Sequence, residues 1–213
     1  MGDSETPESV ARIVGVYGAA ATGFAELVRR IPPDRWAGPG LGEWDLRALV
    51  GHTARSLVTV ITYLDMPADQ VDIASAEQYY LVAAQVAAAE GAGVLERGRR
   101  AGAELGENPA AAVDALVGAA TAKLDGRGDE LIAVLGGSGM RLSDYLPTRV
   151  FELAVHGLDI ADATGLDFML PAQVSAMATA LGAGIAAAMG HGATVLRALT
   201  GRGTLPQPFS VTA

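Results

Sequence analysis

Glu152 and His156 stand four residues apart within LPTRVFELAVHGLDIADATG, residues 146–165, a stretch that otherwise reads as an apolar helix. At that spacing both side chains leave the same helix face, one turn from each other. Together with His52, from a much earlier helical stretch, they supply two imidazoles and one carboxylate. That donor set suits zinc or another divalent first-row metal and leaves positions open for water or a substrate. Asp159, one turn beyond His156, could orient an imidazole or a bound water, or could be a surface acid near a helix end. Arg149, three residues before Glu152, could anchor a ligand carboxylate, or could pair with Glu152 or Asp144. Residue types alone leave the metal reading open, because a Glu–His pair at this spacing is often solvated and a lone histidine on an apolar face is often a hydrogen-bonded core residue. Against that, Leu146, Val150, Leu153, Ala154, Leu158 and Ile160 wrap much of the helix in apolar surface. Burying an unpaired carboxylate there would cost several kcal/mol, roughly, and a metal held by two imidazoles removes that cost.

The elements that must position these residues follow from periodicity. Ile13, Val16, Tyr17, Ala20, Phe24 and Leu27 recur at helical spacing and predict a helix from Pro7 to Arg30, stopped by IPPDRW. A loop with Trp36, Pro39, Gly40 and Gly42 precedes EWDLRALVGHTARSLVTVITYL, a second amphipathic helix with Asp45 as its cap and His52 two turns in. Trp36 reads as core; Trp44 and Asp45 read as residues that set the helix start. An alanine-rich third helix is expected over about Ser75 to Leu105, whole or broken, and Asn108–Pro109 opens another. Gly126, Gly128, Gly136, Gly137 and Gly139 surround LIAVL and lack the Gly-Lys-Ser/Thr ending of a phosphate loop, so they read as turns. Ser143 and Asp144 are the expected caps of the Glu152 helix, with Pro147 in its first turn and Gly165 at its end. Pro171 opens a final helix, His191 reads as a cation closing it, and the stripe Gly182, Ala186, Gly190 would admit a second helix, within the subunit or across a dimer. FSVTA could lie as a strand or an extended arm. The expected architecture is all-α, a four-helix bundle over residues 1–165, with a C-terminal helical segment and tail over 166–213.

Composition excludes several partners. The 213 residues carry 24 acidic and 15 basic side chains, a net charge of −9, with Lys123 the single lysine. No basic surface is available to neutralise phosphates along a duplex, so no nucleic-acid partner is expected. There is no cysteine, hence no disulfide, no protein thiolate and no cysteine nucleophile, and any thiol chemistry requires an imported thiol. The opening MGDSETPESV is acidic rather than signal-like, although Gly2 and Thr6 formally fit a short myristoylation pattern. The longest apolar run, residues 174–190, falls short of the ~20 strongly apolar residues a membrane span needs. A cytoplasmic monomer or homodimer without membrane partners is expected.

Trp36 in its loop, EWDLRALVGHTA, RVFELAVHGLDIA and the terminal ALTGRGTLPQPFSV together resemble the DinB-like metal-binding superfamily, and within it the mycothiol-dependent maleylpyruvate isomerases and mycothiol S-transferases. The resemblance covers about residues 7–165. It implies a DinB-like four-helix bundle, a metal held by His52, Glu152 and His156, and a role for Asp159 near that metal. It further implies mycothiol as a thiol cofactor, activated for S-transfer to, or cis/trans isomerisation of, a small electrophile. A metal-assisted hydrolase with Asp159 as general base and a non-catalytic metal-stabilised binding protein are the alternatives. Full-length isomerases of this kind carry a C-terminal domain with a catalytic arginine. Here about fifty residues follow the bundle, with Arg197 and Arg202 among them, which favours S-transfer over isomerisation as the expectation.

Overall fold

Asp45 begins the helix that carries His52: its carboxylate accepts the Ala48 amide at 2.7 Å, satisfying a donor that the first helical turn leaves free. In the computed structural model, which describes residues 7–90 and 93–212, this helix is α2, Leu46–Tyr63. It packs with α1 (Pro7–Arg29), α5 (Pro109–Leu124) and α6 (Leu142–Thr164) as a four-helix square in which α6 adjoins α1 and α2, and α5 adjoins the same two. The predicted stripe of α1 is its core face, with Ile13, Val16, Tyr17, Ala20, Phe24 and Leu27 all buried. Asn108 caps α5 through the Ala111 amide, as its place before Pro109 suggests. Trp36 is half-buried against the core.

In the alanine-rich stretch the described residues form α3 (Ala76–Glu90) and α4 (Gly93–Glu104), and residues 91–92 between them lie outside the described residues. The two have different partners: α3 lies on α6 and on α7 (Ala172–Ala188), while α4 lies on α2. Two glycines make the α2–α4 crossing possible. A Cβ on Gly51 would stand 2.1 Å from the Gly102 nitrogen, and one on Gly102 would stand 2.7 Å from the Arg47 carbonyl oxygen, so two backbones meet directly beside His52.

LIAVL and its glycines build an antiparallel hairpin, β1 (Leu131–Val134) and β2 (Ser138–Arg141), with Leu131 opposite Arg141 and Val134 opposite Ser138. The hairpin is fastened to the α2–α3 loop: the Gly139 amide donates to Asp72 Oδ2 at 2.8 Å, and the Asp72 and Ile73 amides donate to the Gly139 carbonyl. This changes the expected start of α6. Since β2 runs straight into the helix, α6 starts at Leu142, Ser143 and Asp144 fall inside its first turn, and the acceptor for the Ser143 amide is Asp129 Oδ1 from before the hairpin. Pro147 therefore sits in the second turn. Gly165 ends α6 in the left-handed conformation, φ 71°, as its position suggests.

The segment after Pro171 is two helices, α7 and the short α8 (Gly192–Leu199), divided at Gly190, φ 85°. His191 accordingly precedes α8 with its ring 5.7 Å from Phe209, and is not the last-turn cation of α7. At Gly182 the small-residue stripe serves packing within the subunit, because a Cβ there would come within 3.2 Å of the Phe151 ring. No strand forms in the tail among the described residues, and no described helix is long and apolar enough to cross a membrane.

Candidate metal centre

α2 and α6 face each other so that His52, Glu152 and His156 each turn one ligand atom to a common point, with these atoms all within 4.8 Å of one another. Their local positions are simple. Glu152 and His156 are one turn apart, with His156 Nε2 3.3 Å from Glu152 Oε2. Across the helix pair, the His52 ring meets the His156 ring edge-on at 4.9 Å between centroids.

Each of the three is held from behind. Asp159 Oδ2 lies 2.9 Å from His156 Nδ1. A carboxylate only accepts, so Nδ1 carries the proton and Nε2 is the atom left toward Glu152. The Tyr80 hydroxyl donates to Glu152 Oε1 at 2.7 Å and lies 3.2 Å from the Thr148 carbonyl. Trp44 packs its ring on His52, centroids 4.5 Å apart, and is itself tied to α4 by its indole N–H on the Leu95 carbonyl. Gly98 makes room for it, since a Cβ there would stand 2.5 Å from the indole. Trp44 therefore does more than set the start of α2: it walls His52.

Arg149 is buried, yet it pairs with neither a metal-side carboxylate nor an exposed acid. Its Nε donates to Thr148 Oγ1 and its Nη2 to the Tyr79 hydroxyl, both at 3.0 Å. The guanidinium lies over the Tyr79 and Tyr145 rings, 5.1 Å from each centroid. Nη1 takes no partner among the described residues. No fully buried side-chain nitrogen or oxygen there is left unsatisfied, so Nη1 is not completely buried. Arg197 and Arg202 are tied to each other through backbone groups at the end of α8 and make no hydrogen bond to the triad.

The electrostatics divide the donors. Burial, with His156 beside it, lowers the His52 pKa to about 4, leaving a neutral imidazole. For Glu152 burial pushes upward, but the His156 hydrogen bond and the Arg149 charge outweigh it and bring the carboxyl to about 2. Burial opposes the charge on His156 as well, and its bonds to Asp159 and Glu152 overcome that and raise it to about 9. Burial likewise opposes the Arg149 charge, but the surrounding phenols and Glu152 outweigh it and push the guanidinium upward. Near neutral pH, without an ion, the cluster is a neutral imidazole, a carboxylate and an imidazolium. Replacing that one proton by a divalent cation turns it into the donor set of a metal centre, so the residues fit the ion.

Helical spacing puts Glu152, His156 and Asp159 on one face with Arg149 nearby, and the family resemblance adds His52 as the third ligand. Neither indicates Trp44's wall, Tyr79, Tyr80 or Tyr145; the one available signal is a tyrosine pair, Tyr79–Tyr80, inside an alanine-rich helix.

A helical bundle in which His, Glu and His converge between facing helices has the donor set that could hold a divalent metal. The family profile of the mycothiol maleylpyruvate isomerase N-terminal domain matches residues 17–161, and the chain belongs to that family. The matched span includes the triad, Arg149 and Asp159. No curated protein and no solved structure gives a significant match.

Proposed function

We propose that the protein holds a divalent metal ion, zinc foremost, through His52, Glu152 and His156. With it the protein activates a low-molecular-weight thiol, mycothiol, for S-transfer to, or cis/trans isomerisation of, a small electrophile. The observation that carries this is the convergence of the three donors within 4.8 Å, in a chain that belongs to a mycothiol-dependent family and has no thiol of its own. When bound, such an ion acidifies a coordinated thiol and so supplies a nucleophile near neutral pH.

The chain's own residues divide the remaining work. Asp159 fixes the His156 tautomer and ring plane, so Nε2 is presented without rotation. Trp44 shields one face of His52 from solvent. Arg149 is the substrate-side residue in this reading: Nη1 offers a fixed cationic donor to a carboxylate on the electrophile or the thiol, while the tyrosine box prevents the guanidinium from swinging onto Glu152.

Elemental analysis of the purified, untagged protein tests the first step, with about one zinc per chain expected. Titration with mycothiol, with and without chelator, tests the second. His52→Ala and His156→Ala should each fold and lose the metal. Stoichiometric metal in both variants, or thiol binding that survives chelation, removes this reading. Electrophile turnover then separates the two chemistries: a retained sulfur conjugate means transfer, while an isomerised product with free thiol returned means isomerisation.

A further inference from the structure

Resting on the metal reading above, we infer that Tyr80 is a positioning residue that selects which oxygen of Glu152 meets the ion. A carboxylate beside a divalent cation can offer one oxygen or both. Here Oε1 is taken by the Tyr80 hydroxyl at 2.7 Å, and Oε2 is the oxygen turned toward His156 Nε2 at 3.3 Å. With Oε1 engaged by Tyr80, Oε2 is the oxygen that Glu152 would offer an ion, which would leave the position of a second carboxylate oxygen to a thiol.

Tyr80 can do this because its own place is over-determined. It comes from α3, outside the four-helix square, and is buried. Its ring packs edge-on against Phe151, centroids 5.3 Å apart. Phe151 in turn rests on α7 where Gly182 has no side chain, and a Cβ there would reach 3.2 Å from the ring. α7 also receives Glu77 of α3 at Gly184, where a Cβ would stand 2.7 Å from Oε1. α7 therefore braces α3, and α3 delivers the hydroxyl. The neighbouring Tyr79 turns its hydroxyl to Arg149 instead, so consecutive residues hold the ligand carboxylate and the guanidinium.

The test is zinc affinity, measured on the full chain by competition with a chelator, for wild type, Tyr80→Phe and Tyr17→Phe. Tyr80→Phe keeps the ring and removes only the hydroxyl, and zinc affinity is expected to fall by about tenfold or more. Tyr17→Phe also deletes a buried phenol, one that donates to the Ser56 carbonyl away from Glu152, and is expected to leave zinc affinity unchanged while lowering thermal stability. Equal affinity for wild type and Tyr80→Phe overturns the inference and leaves the metal site standing. An equal loss in Tyr17→Phe also overturns it, by showing a general effect of stability. A wild type that takes up no zinc overturns the metal reading and this inference with it. If Tyr80→Phe does not fold, the isotope-edited infrared spectrum of zinc-loaded wild type decides: the splitting of the Glu152 carboxylate stretches must report one-oxygen ligation, and a two-oxygen splitting refutes the proposal.

Discussion

The proton on His156 should govern how the site takes up its ion. In the metal-free protein His52 is already neutral at neutral pH and Glu152 already ionised, so His156, at about 9, is the one donor that must lose a proton. At pH 7 displacing it costs about 3 kcal/mol, at about 1.4 kcal/mol for each pH unit below its pKa. Raising the pH from 7 to 8 should therefore strengthen metal binding by about ninefold, whereas two unperturbed imidazoles would give less than about twofold. Cobalt(II) competition against a chelator at pH 7.0 and 8.0, corrected for protonation of the chelator, measures this directly. Asp159→Asn sharpens the test, because it removes a cause of the raised pKa and the support of the ring together. Its affinity at pH 8 should fall about tenfold, while its dependence on pH becomes shallower. Affinity independent of pH between 7 and 8, or a ring-proton NMR titration placing His156 of the metal-free protein near 6.5, would refute the reasoning.

Three other outcomes follow from the same structure. Gly51→Ala must force α2 and α4 apart, because its Cβ would meet the Gly102 backbone at 2.1 Å; thermal unfolding should show a loss of about 2 kcal/mol or more, with weakened metal uptake at the adjacent His52. Gly118→Ala, on α5 with nothing within 4 Å, should instead stabilise by up to ~1 kcal/mol in the same assay. Metal-free protein should be most stable near pH 6 to 7 by chemical unfolding. The Glu152 contribution is complete above its ordinary 4.5 and lost toward 2, burying His52 neutral becomes costly below 6.5, and the His156 contribution is complete below 6.5 and lost as pH rises through 9.

What local spacing encodes is legible in the amino-acid sequence alone. The face shared by Glu152, His156 and Asp159, the Asp45 and Asn108 caps, the end of α6 at Gly165 and the buried stripe of α1 all depend on residues within a turn or two of one another. Those relations are set by helical geometry whatever the surroundings. Where distant segments supply the partner, the sequence misleads or is silent. Asp129 replaces Ser143 and Asp144 as the acceptor at the start of α6 because a hairpin feeds that helix, and α3 and α4 pack on different neighbours, α3 on α6 and α7 and α4 on α2. His52 comes to the triad, Tyr80 to Glu152 across 72 residues and Tyr79 to Arg149 across 70 only through the packing of α2 and α3 on α6. Periodicity marks which face of a helix is buried; which side chain of another helix meets it is decided by how whole helices pack, and here that packing completes the site.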